Sequence, residues 1–216
     1  MKNKIIFGCV ADDFTGASDV ASFLVKGGLS TLMYNGIPKE EPETESGAVV
    51  IALKTRTQET PSAVEDTVQA VKWLKNHGVK QIFMKYCSTF DSTRTGNIGP
   101  ILDRLLGEYG EKYTILCPAL PVNGRVVREG NLYVNGVPLH ESPMRNHPLT
   151  PMWDSDIAVL MEPQSGYPCM KLNKEKMYLP DKEIFRQIEA FVNVVKHRSF
   201  SKAADATYLT QPTISA

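Results

Sequence analysis

Three groups of residues have the types and spacing to do chemistry: Asp12 with Asp13, Lys54 with Arg56, and Lys85 with Asp91 and Arg94. A carboxylate can accept the proton of an attacking hydroxyl or fix its orientation. Cations can hold an anionic substrate, Arg through a bidentate fork and Lys as a point charge. Asp and Thr are also favoured where helix N–H groups lack partners, so Asp13 or Thr15 is the natural cap of the helix that follows. Two adjacent Asp are more than a cap needs. One caps, and at least one of the two is expected to face a substrate.

Each group needs an element to position it. Ile5 to Val10 is an unbroken apolar run, which suits a strand buried on both faces of a parallel sheet. Ala17, Val20, Ala21, Leu24 and Val25 then recur at helical spacing until Gly27-Gly28. Further strands are expected at Ser30 to Tyr34, Val49 to Leu53, Gln81 to Tyr86 and Tyr113 to Cys117. Thr60-Pro61 starts a second helix, and Asn97 caps a third whose face is Ile101, Leu102, Leu105 and Tyr109. Strands alternating with helices predict an α/β fold with an open, mostly parallel sheet flanked by helices. In that architecture the strand ends share one edge, where ligands bind. All three charged groups follow strand ends.

The pattern changes after Arg125. Asn135-Gly136 between alternating apolar residues predicts an appended β-hairpin. A loop rich in Pro follows from His140 to Met152, and Asp154 or Ser155 starts a short helix to Met161.

Composition excludes some classes. The 216 residues, 42% hydrophobic, can bury one good core, and 24 basic against 24 acidic residues leave no global field to recruit nucleic acid or membrane. No segment approaches a membrane-spanning length. Four scattered cysteines form no C-x-x-C pair and read as reduced, mostly buried thiols of a cytoplasmic protein.

Asp12-Asp13-Phe14-Thr15-Gly16-Ala17, Lys85 to Thr93, Gly96-Asn97-Ile98-Gly99-Pro100 and His147 to Met152 resemble the four-carbon acid sugar kinases, and most of all their 3-oxo-tetronate kinase branch. The resemblance covers about residues 1–172. It implies ATP-dependent phosphorylation of the terminal hydroxyl of a four-carbon sugar acid. Asp12 and Asp13 would be catalytic, with Thr15, Lys54, Arg56, Lys85, Ser88, Asp91, Arg94 and Asn97 holding the substrate. ATP and Mg²⁺ belong to the family's C-terminal domain, which has no counterpart here, so the chain reads as half an enzyme, inactive alone. The plainer reading stands beside each assignment: Lys54 and Arg94 as solvated charges, Asp91 as a turn residue, Ser88 as a local backbone partner. His147 reads as a structural loop residue.

Residues 1–178 are therefore expected to form the sugar-acid domain. Residues 179–216 form a short all-α tail, in which Phe185 to Phe191, Ser199 to Ala204 and Leu209 to Ser215 resemble the opening helix-turn-helix of LysR-type transcriptional regulators. That resemblance implies a recognition helix beginning with Gln211, Pro212, Thr213 and Ser215. It lacks its usual wing and dimerising helix, so DNA binding is expected to be weak or absent. A split kinase completed by a separate nucleotide-binding chain, and a fused regulator, are the competing readings. Self-pairing into a homodimer is left open.

Overall fold

The first strand ends where its apolar run ends. In the computed structural model, which describes residues 5–40 and 46–172, β1 spans Phe7–Ala11, and Cys9, Val10 and Ala11 are fully buried. It is followed by α1 (Phe14–Lys26), β2 (Thr31–Asn35), β3 (Ala48–Ala52), α2 (Thr60–Asn76), β4 (Gln81–Lys85) and α3 (Ile98–Tyr109). The strands form a four-stranded parallel sheet in the order β2-β3-β1-β4. Ala11 is level with Ala52 on one side and Lys85 on the other. The residues after β1, β3 and β4 consequently leave the sheet at one height.

Side chains alternate across β1, as pleating requires. Cys9 and Ala11 pack with Ala17, Val20 and Leu24 of α1, whereas Val10 packs on the opposite face with Val71 and Leu74 of α2. Gly8 lies on the α2 side, where a Cβ would come within 2.9 Å of Val79. Only a glycine lets helix and strand approach so closely. Helix α1 starts with Asp13 as its cap and stops at Gly27 and Gly28, the latter at φ +85°.

The hairpin expected at Asn135-Gly136 is present. Val134 pairs with Val137, and the two turn residues take φ of 51° and 83°, the left-handed pair of a tight reversal. A second reversal of the same kind, Glu129 (φ 49°) and Gly130 (φ 78°), joins β5 (Arg125–Arg128) to β6 (Asn131–Val134). With β7 (Val137–Pro138) these make a three-stranded antiparallel sheet. Leu132, Val134 and Leu139 cover Phe90, Leu102 and the short helix α4 (Ile157–Met161), forming a separate apolar cluster. Asp156, rather than Asp154 or Ser155, caps α4 by accepting from the Ala158 N–H.

Two expectations fail. Tyr113 to Cys117 is not a strand, and among the described residues β4 is an edge of the sheet. Ile115 is 71% exposed, and the Cys117 N–H donates to the Tyr86 hydroxyl instead of a ladder carbonyl. The cysteines are not mostly buried either: Cys9 is buried, Cys87 half-buried, and Cys117 and Cys169 exposed. The tail expected at 179–216, with Gln211, Pro212, Thr213 and Ser215, lies outside the described residues.

Candidate substrate-binding site

The loop after β1 places two carboxylates in different environments. Asp13 is extended, with φ of −150°, and its Oδ1 accepts the Gly16 N–H at 2.7 Å, so this is the residue that caps α1. Asp12 is buried, and its backbone N–H donates to the Lys85 carbonyl of the neighbouring strand. The loop after β3 delivers Arg56 to both. Its Nε donates to Asp12 Oδ2 at 2.9 Å and its Nη2 to Asp12 Oδ1 at 2.8 Å, a bidentate fork. The same Nη2 lies 3.1 Å from Asp13 Oδ2, and Nη1 lies 3.8 Å from Asp91 Oδ2. One guanidinium thus gathers three aspartates from the loops after β1 and β4.

Asp91 reaches this position through unusual backbone. Phe90 and Asp91 both adopt left-handed φ, 65° and 37°. For a bulky residue such as Phe this is costly and persists only where the surroundings impose it. Phe90 is fully buried in the hairpin cluster, and Thr89 donates its hydroxyl to Asp91 Oδ1 at 2.7 Å. Burial of the ring and this hydrogen bond hold the turn. Lys85 closes the group from β4, with Nζ bonded to the Tyr86 carbonyl.

Burial pushes the Asp12 carboxyl above its ordinary value, against the hydrogen bond and charge of Arg56, which pull it down. Burial also opposes charge on Arg56, but Asp12 outweighs it and the guanidinium is held more firmly protonated. Cys9, beneath the site, is pushed up to about 12 by burial and is an unreactive apolar filler.

Asp12, Lys54, Arg56, Thr57, Asp91, His147, Leu149 and Thr150 line an open cleft of about 760 Å³. Behind it, Lys85 and Asn97 join Asp12, Arg56 and Asp91 around a smaller recess floored by Met84, Ile98 and Leu102. The structure thus brings together Asp12, Asp13, Lys54, Arg56, Lys85, Asp91 and Asn97. Asn97 is engaged internally, its amide donating to the Thr55 and Gln58 carbonyls at 2.7 and 2.8 Å while its oxygen accepts from Thr60 at 2.7 Å. It stands at the start of α3 without capping it through its side chain. Thr15, Ser88 and Arg94 are not among the residues lining either space, and the Arg94 guanidinium stacks 3.7 Å from the Trp153 ring centre.

His147 and Thr150 also line the cleft. Sequence reading treated His147 as structural, because nothing local distinguishes a loop His from a ligand-facing one. The other residue passed over is Gln164, which accepts from Ser92 at 2.8 Å and donates to the Leu160 carbonyl. It lies against Gly99, where a Cβ would meet the Gln164 backbone at 2.4 Å. The two close-packed glycines of Gly96-Asn97-Ile98-Gly99 were the available signal.

An open parallel sheet whose strand ends present a charged rim over a cleft defines a domain that binds a small polar ligand. The chain belongs to the family described as the sugar-binding N-terminal domain, which it matches over residues 7–207, within the four-carbon acid sugar kinases. It is 54% identical over 158 residues to the 3-oxo-tetronate kinase of Brucella melitensis, covering 73% of this chain and 36% of that protein. A crystal structure from Salmonella typhimurium LT2 superposes with a TM-score of 0.82 at 41% identity, covering 91% of this chain and 46% of that one. A Bordetella bronchiseptica protein of the DUF1537 family, a domain-swapped dimer with bound citrate, gives a TM-score of 0.64 at 30% identity, covering 72% of this chain and 40% of that one. The chain spans about two fifths of the length of the curated relatives it matches.

Proposed function

We propose that this chain is the substrate-binding part of a cytoplasmic kinase that phosphorylates the terminal hydroxyl of a four-carbon sugar acid of the 3-oxo-tetronate or threonate type. The observation that carries the reading is the grouping of Asp12, Asp13 and Asp91 on one guanidinium at the rim of a cleft that also holds Lys54. Aspartates beside a cation suit a polyhydroxylated anion: the carboxylates accept hydroxyl protons, and positive groups attract the acid. Each carboxylate oxygen has two lone pairs, so Asp12 can accept from a substrate hydroxyl while paired with Arg56. Asp12, with Asp13 beside it, is our candidate for orienting the attacking hydroxyl and receiving its proton. Lys54, Lys85 and Asp91 are assigned to substrate binding, and Arg56 and Asn97 hold the loops that carry them. Thr15, Ser88 and Arg94 would join only through a rearranged loop. The citrate bound in the Bordetella protein supports an anion-accepting cleft in this chain.

ATP and Mg²⁺ are implied by the relatives' name as kinases, but the residues present do not fit them. Among the described residues no group of three or more His, Cys, Asp or Glu is arranged to hold a metal ion, and the three aspartates face Arg56. We therefore assign the nucleotide and its metal to residues outside this set, in a further domain or a separate chain. Titration calorimetry with threonate tests the substrate assignment: millimolar or tighter binding, lost in Asp91→Ala, is expected, and no heat from the wild type contradicts it. Incubation with ATP, Mg²⁺ and threonate is expected to give no phosphorylated product from this chain alone. Product formation would place the nucleotide site within it.

The likeness of residues 181–216 to the LysR-type opening helices supports a fused DNA-binding reading as the alternative, with Gln211, Pro212, Thr213 and Ser215 as the contacts. We rank it last, behind a split kinase, because that segment carries only a slight basic excess and the sugar-binding family match runs on to residue 207. Sequence-specific retardation of DNA in a gel at physiological salt would favour it.

A further inference from the structure

Resting on the sugar-acid reading of the cleft, we propose that the substrate's carboxylate is held at the outer rim by Lys54 and His147, and not by Arg56.

Arg56 is the residue sequence reasoning would choose for a carboxylate, but its donors are committed. Nε and Nη2 hold Asp12 at 2.9 and 2.8 Å, Nη2 also meets Asp13 at 3.1 Å, and Nη1 faces Asp91 at 3.8 Å. A fourth carboxylate brought to this guanidinium would lie against three like charges. The inner end of the cleft therefore suits hydroxyls, which donate to carboxylates, and rejects an anion.

Lys54 and His147, which line the same cleft, offer the reverse chemistry. Lys54 is exposed at the cleft and, among the described residues, holds no ion pair. His147 Nδ1 accepts the Thr150 backbone N–H at 3.1 Å and lies 2.8 Å from the Thr150 hydroxyl. An Nδ1 that accepts a backbone N–H carries no proton, so the neutral ring bears its hydrogen on Nε2. Thr150 is buried and fixes the ring, leaving Nε2–H as a donor in the cleft that Lys54 also lines. An exposed cation and an oriented N–H in the same cleft as buried carboxylates set the ligand's direction: acid outward, hydroxyls inward. Preference for an acid over its neutral analogue then resides in Lys54 and His147.

The test titrates the full chain with threonate and with threonamide, its uncharged isostere, following amide shifts by NMR. Wild type is expected to bind threonate about tenfold more tightly than threonamide, as a charge-assisted contact requires. Lys54→Met should remove that preference. At 147 two substitutions separate recognition from scaffolding. His147→Gln can place an N–H near Nε2, and His147→Asn can replace only the Nδ1 acceptor. The proposal expects the preference to survive in H147Q and to vanish in H147N. Survival in H147N with loss in H147Q would assign His147 a purely structural role and overturn it, as would an unchanged preference in Lys54→Met. Wild-type binding of both ligands with equal affinity overturns this inference alone. Wild-type binding of neither overturns the sugar-acid reading and the inference with it.

Discussion

At the scale of single residues, the chemistry turns on Asp12 and Arg56. Because burial raises the Asp12 carboxyl above its ordinary 3.8, the folded protein binds that proton more tightly than the unfolded chain does. Between 3.8 and the raised value the native state carries more protons, so by linkage this group's contribution to stability falls as pH rises through that window. Urea midpoints measured from about pH 4 to pH 7 should show wild type losing stability relative to Asp12→Asn as pH increases. Parallel curves would mean that Asp12 is not perturbed. Arg56→Lys keeps the charge but not the fork, so it should weaken the grouping of Asp12, Asp13 and Asp91 and lower both stability and ligand affinity, the former by about 1–3 kcal/mol. An unchanged melting curve together with unchanged threonate binding would show that the bidentate geometry is dispensable. The hub itself could not be read from the chain. Asp12 and Arg56 are 44 positions apart, and only the register of β1 against β3 brings them together.

At the scale of elements, the site depends on ties between loops and helices. Asn97 at the head of α3 holds the Thr55, Gln58 and Thr60 loop through three hydrogen bonds. Replacing it by Ala strands two carbonyls in a largely buried region and should cost about 3 kcal/mol, read as a shift in denaturant midpoint. A shift within error would show that water replaces the amide freely. Gly99→Ala drives a methyl into the Gln164 backbone, 2.4 Å away, and overpacking of this kind should cost about 1–3 kcal/mol. The strands β1, β3 and β4 were legible because each is an apolar run cut off by charges. The turn at Asn135-Gly136 was legible because few residues accept positive φ there. Glu129-Gly130 makes the same turn and was less visible, since a left-handed Glu has no sequence signature. Tyr113 to Cys117 has the composition of a strand but does not pair with the open edge of β4, its Cys117 N–H going to the Tyr86 hydroxyl instead. Propensity alone does not make a ladder.

At the scale of the whole molecule, two packing units meet at the cleft. The parallel sheet carries Asp12, Arg56 and Lys85, while the cluster built on the antiparallel hairpins seats Phe90 and so fixes Asp91. The cleft wall formed by His147 and Thr150 belongs to the loop between the hairpins and α4. Sequence reading located the sheet's share of the site and missed the opposite wall, because a loop position declares its neighbours only once the chain has folded. The central claim, that strand ends deliver acidic and basic groups to a common rim shaped for a small anionic polyol, has one direct measurement. Backbone amide shifts of the full chain, recorded with increasing threonate, should move at 11–16, 54–58, 85–97 and 147–150 and stay fixed on the far ends of the strands. Saturable shifts confined to some other surface, or none up to millimolar threonate, would contradict it.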